Sequence, residues 1–129
     1  MTRLLPFLLL TAGCAAAAAN DAPSRDQQAL TRELEGRTAG PPRACVPVRQ
    51  TQSLQIVDRQ TLVYRDGDTV YVNRLGANCP GMRPLSTLVV EAYGSQYCRG
   101  DRVRAVETQN ALPGPFCVLR DFVPYRHGG

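Results

Sequence analysis

The sequence predicts an all-β protein: a small disulfide-braced barrel or sandwich of five to six mostly antiparallel strands, preceded by a signal peptide and a disordered tether. Three observations carry this. From Cys45 onward the apolar residues recur with a period of two rather than 3.6. Short apolar runs alternate with turns rich in Gly, Pro and Asp at close spacing, the pattern of a sandwich or barrel. Four cysteines, Cys45, Cys79, Cys98 and Cys117, fall at strand ends and in loops of this same region.

Taken in order, the chain begins as an export signal. Arg3 supplies the positive charge, Leu4 to Thr11 form a short apolar run broken by Pro6, and small residues follow from Ala12 to Ala19. The run is too short for a spanning helix of about 20 residues. Two cuts compete. One, near Ala17 to Ala19, removes residues 1–19 and frees a periplasmic protein. The other falls before Cys14, because Thr11-Ala12-Gly13-Cys14 resembles a bacterial lipobox, with Thr11 where such motifs usually carry Leu. Cys14 is then a lipidation site. Ala15 does not resemble an inner-membrane retention signal, so the address is the outer membrane. Either way Cys14 is no thiol of the fold, and the five cysteines of the chain reduce to an even four.

Residues 20–43 read as a flexible tether, rich in Ala, Gly, Pro, Gln and charge. Gln27 to Glu35 places Leu30 and Leu34 at helical spacing, but two leucines cannot bury a helix face on their own. The β domain is residues 44–126 and a disordered tail follows at 127–129. Its strands are Leu54–Val57, Thr61–Tyr64, Thr69–Asn73, Thr87–Tyr93, Arg102–Thr108 and Cys117–Val123. Asp58-Arg59-Gln60 turns the chain between the first two. Arg65-Asp66-Gly67-Asp68 is a hairpin signal, because Asp-Gly accepts positive φ at low cost. In the fourth strand Leu88, Val90 and Ala92 share one face, and Val89, Glu91 and Tyr93 the other. Gly94 to Asp101 is a turn region. In the fifth strand Val103 and Ala105 face inward, Arg102 and Arg104 outward. Leu112-Pro113-Gly114-Pro115 cannot be strand interior.

A domain of about 80 residues has a marginal core, and disulfides are the usual supplement in an oxidising compartment. The cysteines lack CxxC spacing and the one histidine, His127, sits at the tail, so neither a zinc site nor thiol exchange is expected. Spacing leaves all three pairings open.

The formal charge is +4, carried by arginine alone. The arginines are scattered beside acids, Arg65 near Asp66 and Asp68, Arg102 and Arg104 near Asp101 and Glu107. A nucleic-acid surface needs a concentrated basic stripe with stacking aromatics, so nucleic acid is not an expected partner. No catalytic set is expected: a tail histidine cannot hold a nucleophile, Asp66 and Asp68 serve a turn, and Glu91 faces outward. No phosphate loop and no cofactor or metal motif occurs. Arg99-Gly100-Asp101 matches the integrin tripeptide, yet is also what a turn before a strand requires. Tyr64, Tyr71, Tyr93, Tyr97 and Tyr125 fit cross-strand packing better than an exposed interface.

Four motifs, in order, carry a resemblance: Val57-Asp58-Arg59-Gln60-Thr61-Leu62; Tyr71-Val72-Asn73-Arg74-Leu75 leading to Cys79-Pro80-Gly81-Met82; Cys98-Arg99-Gly100-Asp101; and Cys117-Val118-Leu119-Arg120-Asp121-Phe122-Val123-Pro124. Over roughly Cys45 to Tyr125 the chain resembles the small exported, lipoprotein-like bacterial proteins of domain-of-unknown-function family 6491. Met82 stands where such proteins often have Leu. The resemblance implies an exported, β-rich, non-catalytic protein. It also implies the pairs Cys79–Cys117 and Cys45–Cys98.

The expected function is that of a non-catalytic binding or structural module of the periplasm or outer membrane. Its partner is an unknown envelope protein or component, and it touches membrane only through a lipid on Cys14. The alternative is an inhibitor of an envelope-attacking enzyme such as lysozyme. There the loop Tyr93-Gly94-Ser95-Gln96-Tyr97 would enter the enzyme's cleft.

Overall fold

The computed structural model describes Gly13 and residues 22–128; Cys14 and the rest of the leader, with both candidate cuts, lie outside the described residues. The protein is mostly β. Among the described residues one helix, α1 (Arg25–Leu34), precedes ten short strands: β1 (Arg37–Ala39), β2 (Cys45–Pro47), β3 (Gln55–Ile56), β4 (Thr61–Asp66), β5 (Thr69–Arg74), β6 (Thr87–Glu91), β7 (Gln96–Cys98), β8 (Arg102–Val106), β9 (Cys117–Val118) and β10 (Phe122–His127). They form a five-stranded sheet in the order β1-β10-β5-β4-β3, a three-stranded sheet β6-β8-β9 and a two-stranded ribbon β2-β7, antiparallel throughout.

The ladder β4–β5 is the frame. Its register, Asp66 opposite Thr69, confirms the expected hairpin, but the two turn residues are Gly67 and Asp68: Gly67 takes φ of +58° at the first turn position, and Asp66 ends β4. Along both strands every residue from Thr61 to Tyr64 and from Thr69 to Asn73 is buried. One face, with Leu62, Tyr64 and Tyr71, meets Val46, Val103, Ala105, Leu119 and Phe122 in the main core. The other face presents Val63, Val70 and Val72, and with Val57 these pack against Leu30 of α1, flanked by Leu34 and Tyr125.

That second face corrects the tether assignment. Ser24 caps α1 in a reciprocal box with Gln27, each side chain bonding the other's backbone N–H. Leu30 is buried against the sheet. Two leucines suffice because four valines complete the contact. Arg65 then grips Glu33 through both nitrogens of its fork, at 2.7 and 2.6 Å, so its partner is a helix residue rather than Asp66 or Asp68. Beyond the helix, β1 pairs with β10 in register from Arg37 opposite His127 to Ala39 opposite Tyr125. His127 thus ends a strand instead of starting a disordered tail.

The expected last strand is two. β9 belongs to the three-stranded sheet and β10 to the five-stranded one, and Leu119 to Asp121 carry the chain between them. Five of the ten strands have only two or three residues, too few for a period to register; this is why the count exceeds five or six. β7 lies inside the expected turn region, and β6 and β8 each stop two residues early.

Candidate functional site

The loop singled out from sequence does not act as one surface. Tyr93 stands at its tip, 86 % exposed, beside Gly94 at φ of +83°. Ser95 accepts the Val48 N–H through its carbonyl at 2.9 Å, and Gln96 pairs with Pro47 in the β2–β7 ribbon. Tyr97 turns inward, its ring edge-on to Tyr64 at 5.8 Å. Tyr64 is itself buried, donating from its hydroxyl to the Pro47 carbonyl and accepting from the Arg49 N–H. Burial pushes its phenol pKa up. Tyr71 is buried as well, so cross-strand packing accounts for Tyr64, Tyr71 and Tyr97 while Tyr93 alone is left almost fully exposed.

Cys45 is bonded to Cys98 and Cys79 to Cys117, the pairing that the family resemblance implies. Hydrogen bonds at Ala44–Arg99 and Val48–Ser95 put Cys45 and Cys98 at a non-hydrogen-bonded position of the ribbon, where opposed residues approach most closely. The second bond ties the buried Cys79, in the loop after β5, to β9. Two disulfides belong to an oxidising, non-cytoplasmic setting. Among the described residues no helix is long and apolar enough to cross a membrane.

Asp101 is buried, accepting the Cys98 N–H at 2.8 Å, and Gly100 has φ of +95°. The Arg-Gly-Asp tripeptide is therefore a turn whose carboxylate faces its own backbone. Among the described residues no three His, Cys, Asp or Glu side chains gather as metal ligands.

Two surfaces carry unspent chemistry. The first is the outer face of the three-stranded sheet. Val89, Phe116 and Val118 are exposed there, Arg102 lies 3.8 Å and Arg104 4.5 Å from the Phe116 ring centre, and Glu91 meets Arg102 at 3.5 Å. Arg102 pairs with Glu91, across the sheet, instead of with Asp101. The Arg104 Nε–H is buried without a hydrogen-bond partner among the described residues.

The second surface is a basic end. Arg59, in the β3–β4 turn, and Arg74, the last residue of β5, line one hollow of about 650 Å³ with Gln27, Gln60, Thr61 and Asn78. Arg74 and Arg120 line the next, of about 240 Å³. Arg120 and Arg99 line a third, of about 660 Å³, beside Gly76. Arg99 alone of the four forms an ion pair among the described residues, with Asp121 at 2.9 Å. Asp58 also lines the first hollow, and its carboxylate is occupied, accepting from Gln27 at 2.9 Å and from the Gln60 N–H at 2.8 Å. Partial burial raises its pKa, but these bonds and those from Thr61 outweigh it and hold the carboxyl below its ordinary value.

Sequence reasoning missed this gathering. Arg59, Arg74, Arg99 and Arg120 come from four separate segments, each isolated among polar neighbours, and no local pattern announces them.

Fold and surface together define a small, disulfide-braced antiparallel β protein with one basic end and one apolar, arginine-bearing sheet face. No family model, curated protein or solved structure matches this chain.

Proposed function

We propose that this chain is an exported, non-catalytic module of the bacterial envelope that binds an acidic protein surface through the outer face of its three-stranded sheet. The supporting observation is the composition of that face. Arg102 and Arg104 both lie against the Phe116 ring, on a face that also exposes Val89 and Val118, and aromatic and arginine residues are those that interfaces favour. Two arginines face one glutamate, which leaves positive charge for an acidic partner. Periplasmic or outer-membrane residence, with Cys14 removed or lipidated, is part of the same reading, as is membership of family 6491 on the order of its four motifs.

Intact mass of the protein from cells tests residence: the leader is expected to be absent and four thiol hydrogens missing. Photocrosslinking in cells from position 118 tests the face. One discrete adduct is expected, lost in Arg102→Glu/Arg104→Glu and absent when the crosslinker sits at Arg32 on α1. Adducts unchanged by that double charge reversal would remove the proposal.

Tyr93 supports a second reading, inhibition of an envelope-attacking enzyme such as lysozyme. It projects from a short loop whose base is stapled by Cys45–Cys98, as a rigid inserting residue should be. Inhibition at micromolar protein, lost in Tyr93→Ala, is the expected result; its absence retires this reading.

A further inference from the structure

We infer that Arg74 and Arg120, flanked by Arg59 and Arg99, form a binding site for a phosphate group carried by an envelope glycan or glycolipid. The three hollows adjoin through shared side chains: Arg74 lines the first and second, and Arg120 the second and third, so the four arginines are neighbours around them. Two carboxylates line the same surface, Asp58 and Asp121, and both are already engaged. Positive charge is left over, and a guanidinium fork matches phosphate oxygens in a bidentate manner.

The site is held in place from below. Asn73 is fully buried in β5 and bonds both backbone groups of Arg120: its Nδ2 donates to the Arg120 carbonyl at 2.7 Å and its Oδ1 accepts the Arg120 N–H at 3.0 Å. The Leu75 N–H donates to the Gln60 carbonyl at 2.8 Å and Gln60 Nε2 to the Leu75 carbonyl at 3.0 Å, joining the Arg59 turn to the end of β5. The Cys79 N–H donates to the Arg59 carbonyl at 2.7 Å, and the Cys79–Cys117 bond carries that frame across to β9. Glycine at 76 leaves room for the Arg120 guanidinium, whose Nη1 lies only 2.5 Å from where a Cβ would sit. A side chain there would displace the flexible end of Arg120 and leave the backbone alone.

The anion site borders the proposed protein-binding face, since Val118 lines the third hollow, but it is argued from different side chains; only the envelope source of the phosphate rests on the exported reading. The test is titration of the mature protein, followed by NMR of the arginine Nε–H groups. The probes are pyrophosphate, vesicles carrying a phosphorylated glycolipid, and phosphatidylcholine vesicles. Saturable shifts at Arg74 and Arg120 are expected, absent with phosphatidylcholine and weakened by salt. Arg74→Gln and Arg120→Gln should each weaken binding about tenfold, as loss of a charge-assisted contact does. Gly76→Ala should weaken it similarly with the unfolding midpoint unchanged, which separates a lost site from a lost fold. Saturation by pyrophosphate without vesicle binding supports the site and assigns it a soluble phosphate. Shifts spread equally over Arg25 and Arg32, binding indifferent to both Arg→Gln variants, or equal affinity for a single-stranded oligonucleotide would each overturn the inference.

Discussion

Asn73 is the polar residue on which most turns. It follows the apolar run Val70-Tyr71-Val72 in β5 and is completely buried, and both ends of its amide are used on Arg120. Its replacement by alanine leaves a backbone donor and acceptor without partners, and a loss of about 2 kcal/mol is expected. Urea unfolding checks it. Glu33 and Asp58 make the second prediction at this scale. The Arg65 hydrogen bond, opposed by burial and helped by the charges of Arg65 and Arg37, holds Glu33 below its ordinary 4.5. Asp58 is held below 3.8 for the reasons given above. Both carboxyls release protons more readily folded than unfolded, so their contribution is complete above those ordinary values and is lost as pH falls through the lower folded ones. Both also tie α1 to the sheet, through Arg65 and Gln27. On acidification from pH 5 to pH 3, protection against hydrogen exchange, corrected for the intrinsic rate, should fall first at the Leu30 amide, with Val63 and Val72 protected longer. The pair is partly exposed, so the effect is about 1 kcal/mol or less.

At the scale of elements, α1 and the β4–β5 hairpin depend on each other. A strand whose successive residues are all apolar needs cover on both faces. Leu62-Val63-Tyr64 and Val70-Tyr71-Val72 are such runs, and the helix is the cover for the valines. Leu30→Ala opens a void over Val57, Val63 and Val70, with an expected cost of about 2–3 kcal/mol. Helical circular dichroism should fall while the near-ultraviolet signal of Tyr64 and Tyr71 persists, because the main core lies on the opposite face of the sheet. The double-sided hydrophobicity was visible in the sequence. The element that covers it was not, because the helix's two leucines show only one half of the contact.

For the whole molecule the disulfides decide cohesion. Their spans interleave, Cys79 lying between Cys45 and Cys98 and Cys98 between Cys79 and Cys117, so the two contributions do not simply add. Closing 53 residues rather than 38 differs by about 0.3 kcal/mol in chain entropy. Exposure therefore decides which yields first. Cys79 is fully buried in the main core, whereas Cys45 and Cys98 are both half-exposed on the ribbon. Mild thiol treatment of the native protein should open Cys45–Cys98 first, as peptide mapping of alkylated cysteines would show. Removing Cys79–Cys117 by paired Ala replacement should lower the urea midpoint more than removing Cys45–Cys98, each costing about 2–5 kcal/mol. Equal reactivity of both bonds would contradict this.

By itself the sequence determined what is local. Alternation makes strands, Gly67 makes the hairpin turn, Gly100-Asp101 makes a turn that keeps its carboxylate, and four cysteines in a small chain call for two bonds. Each of these follows from a residue's own conformational freedom or from neighbours a few positions away. The tertiary structure alone decided what depends on distant surfaces. It docked residues 25–34 on valines from 57 to 72, gave Arg65 and Arg102 their partners, and ordered two- and three-residue strands that no period could reveal. It also drew Arg59, Arg74, Arg99 and Arg120 from four segments to one end. Packing free energy is set by the pair of surfaces that meet, and a linear pattern shows one surface at a time.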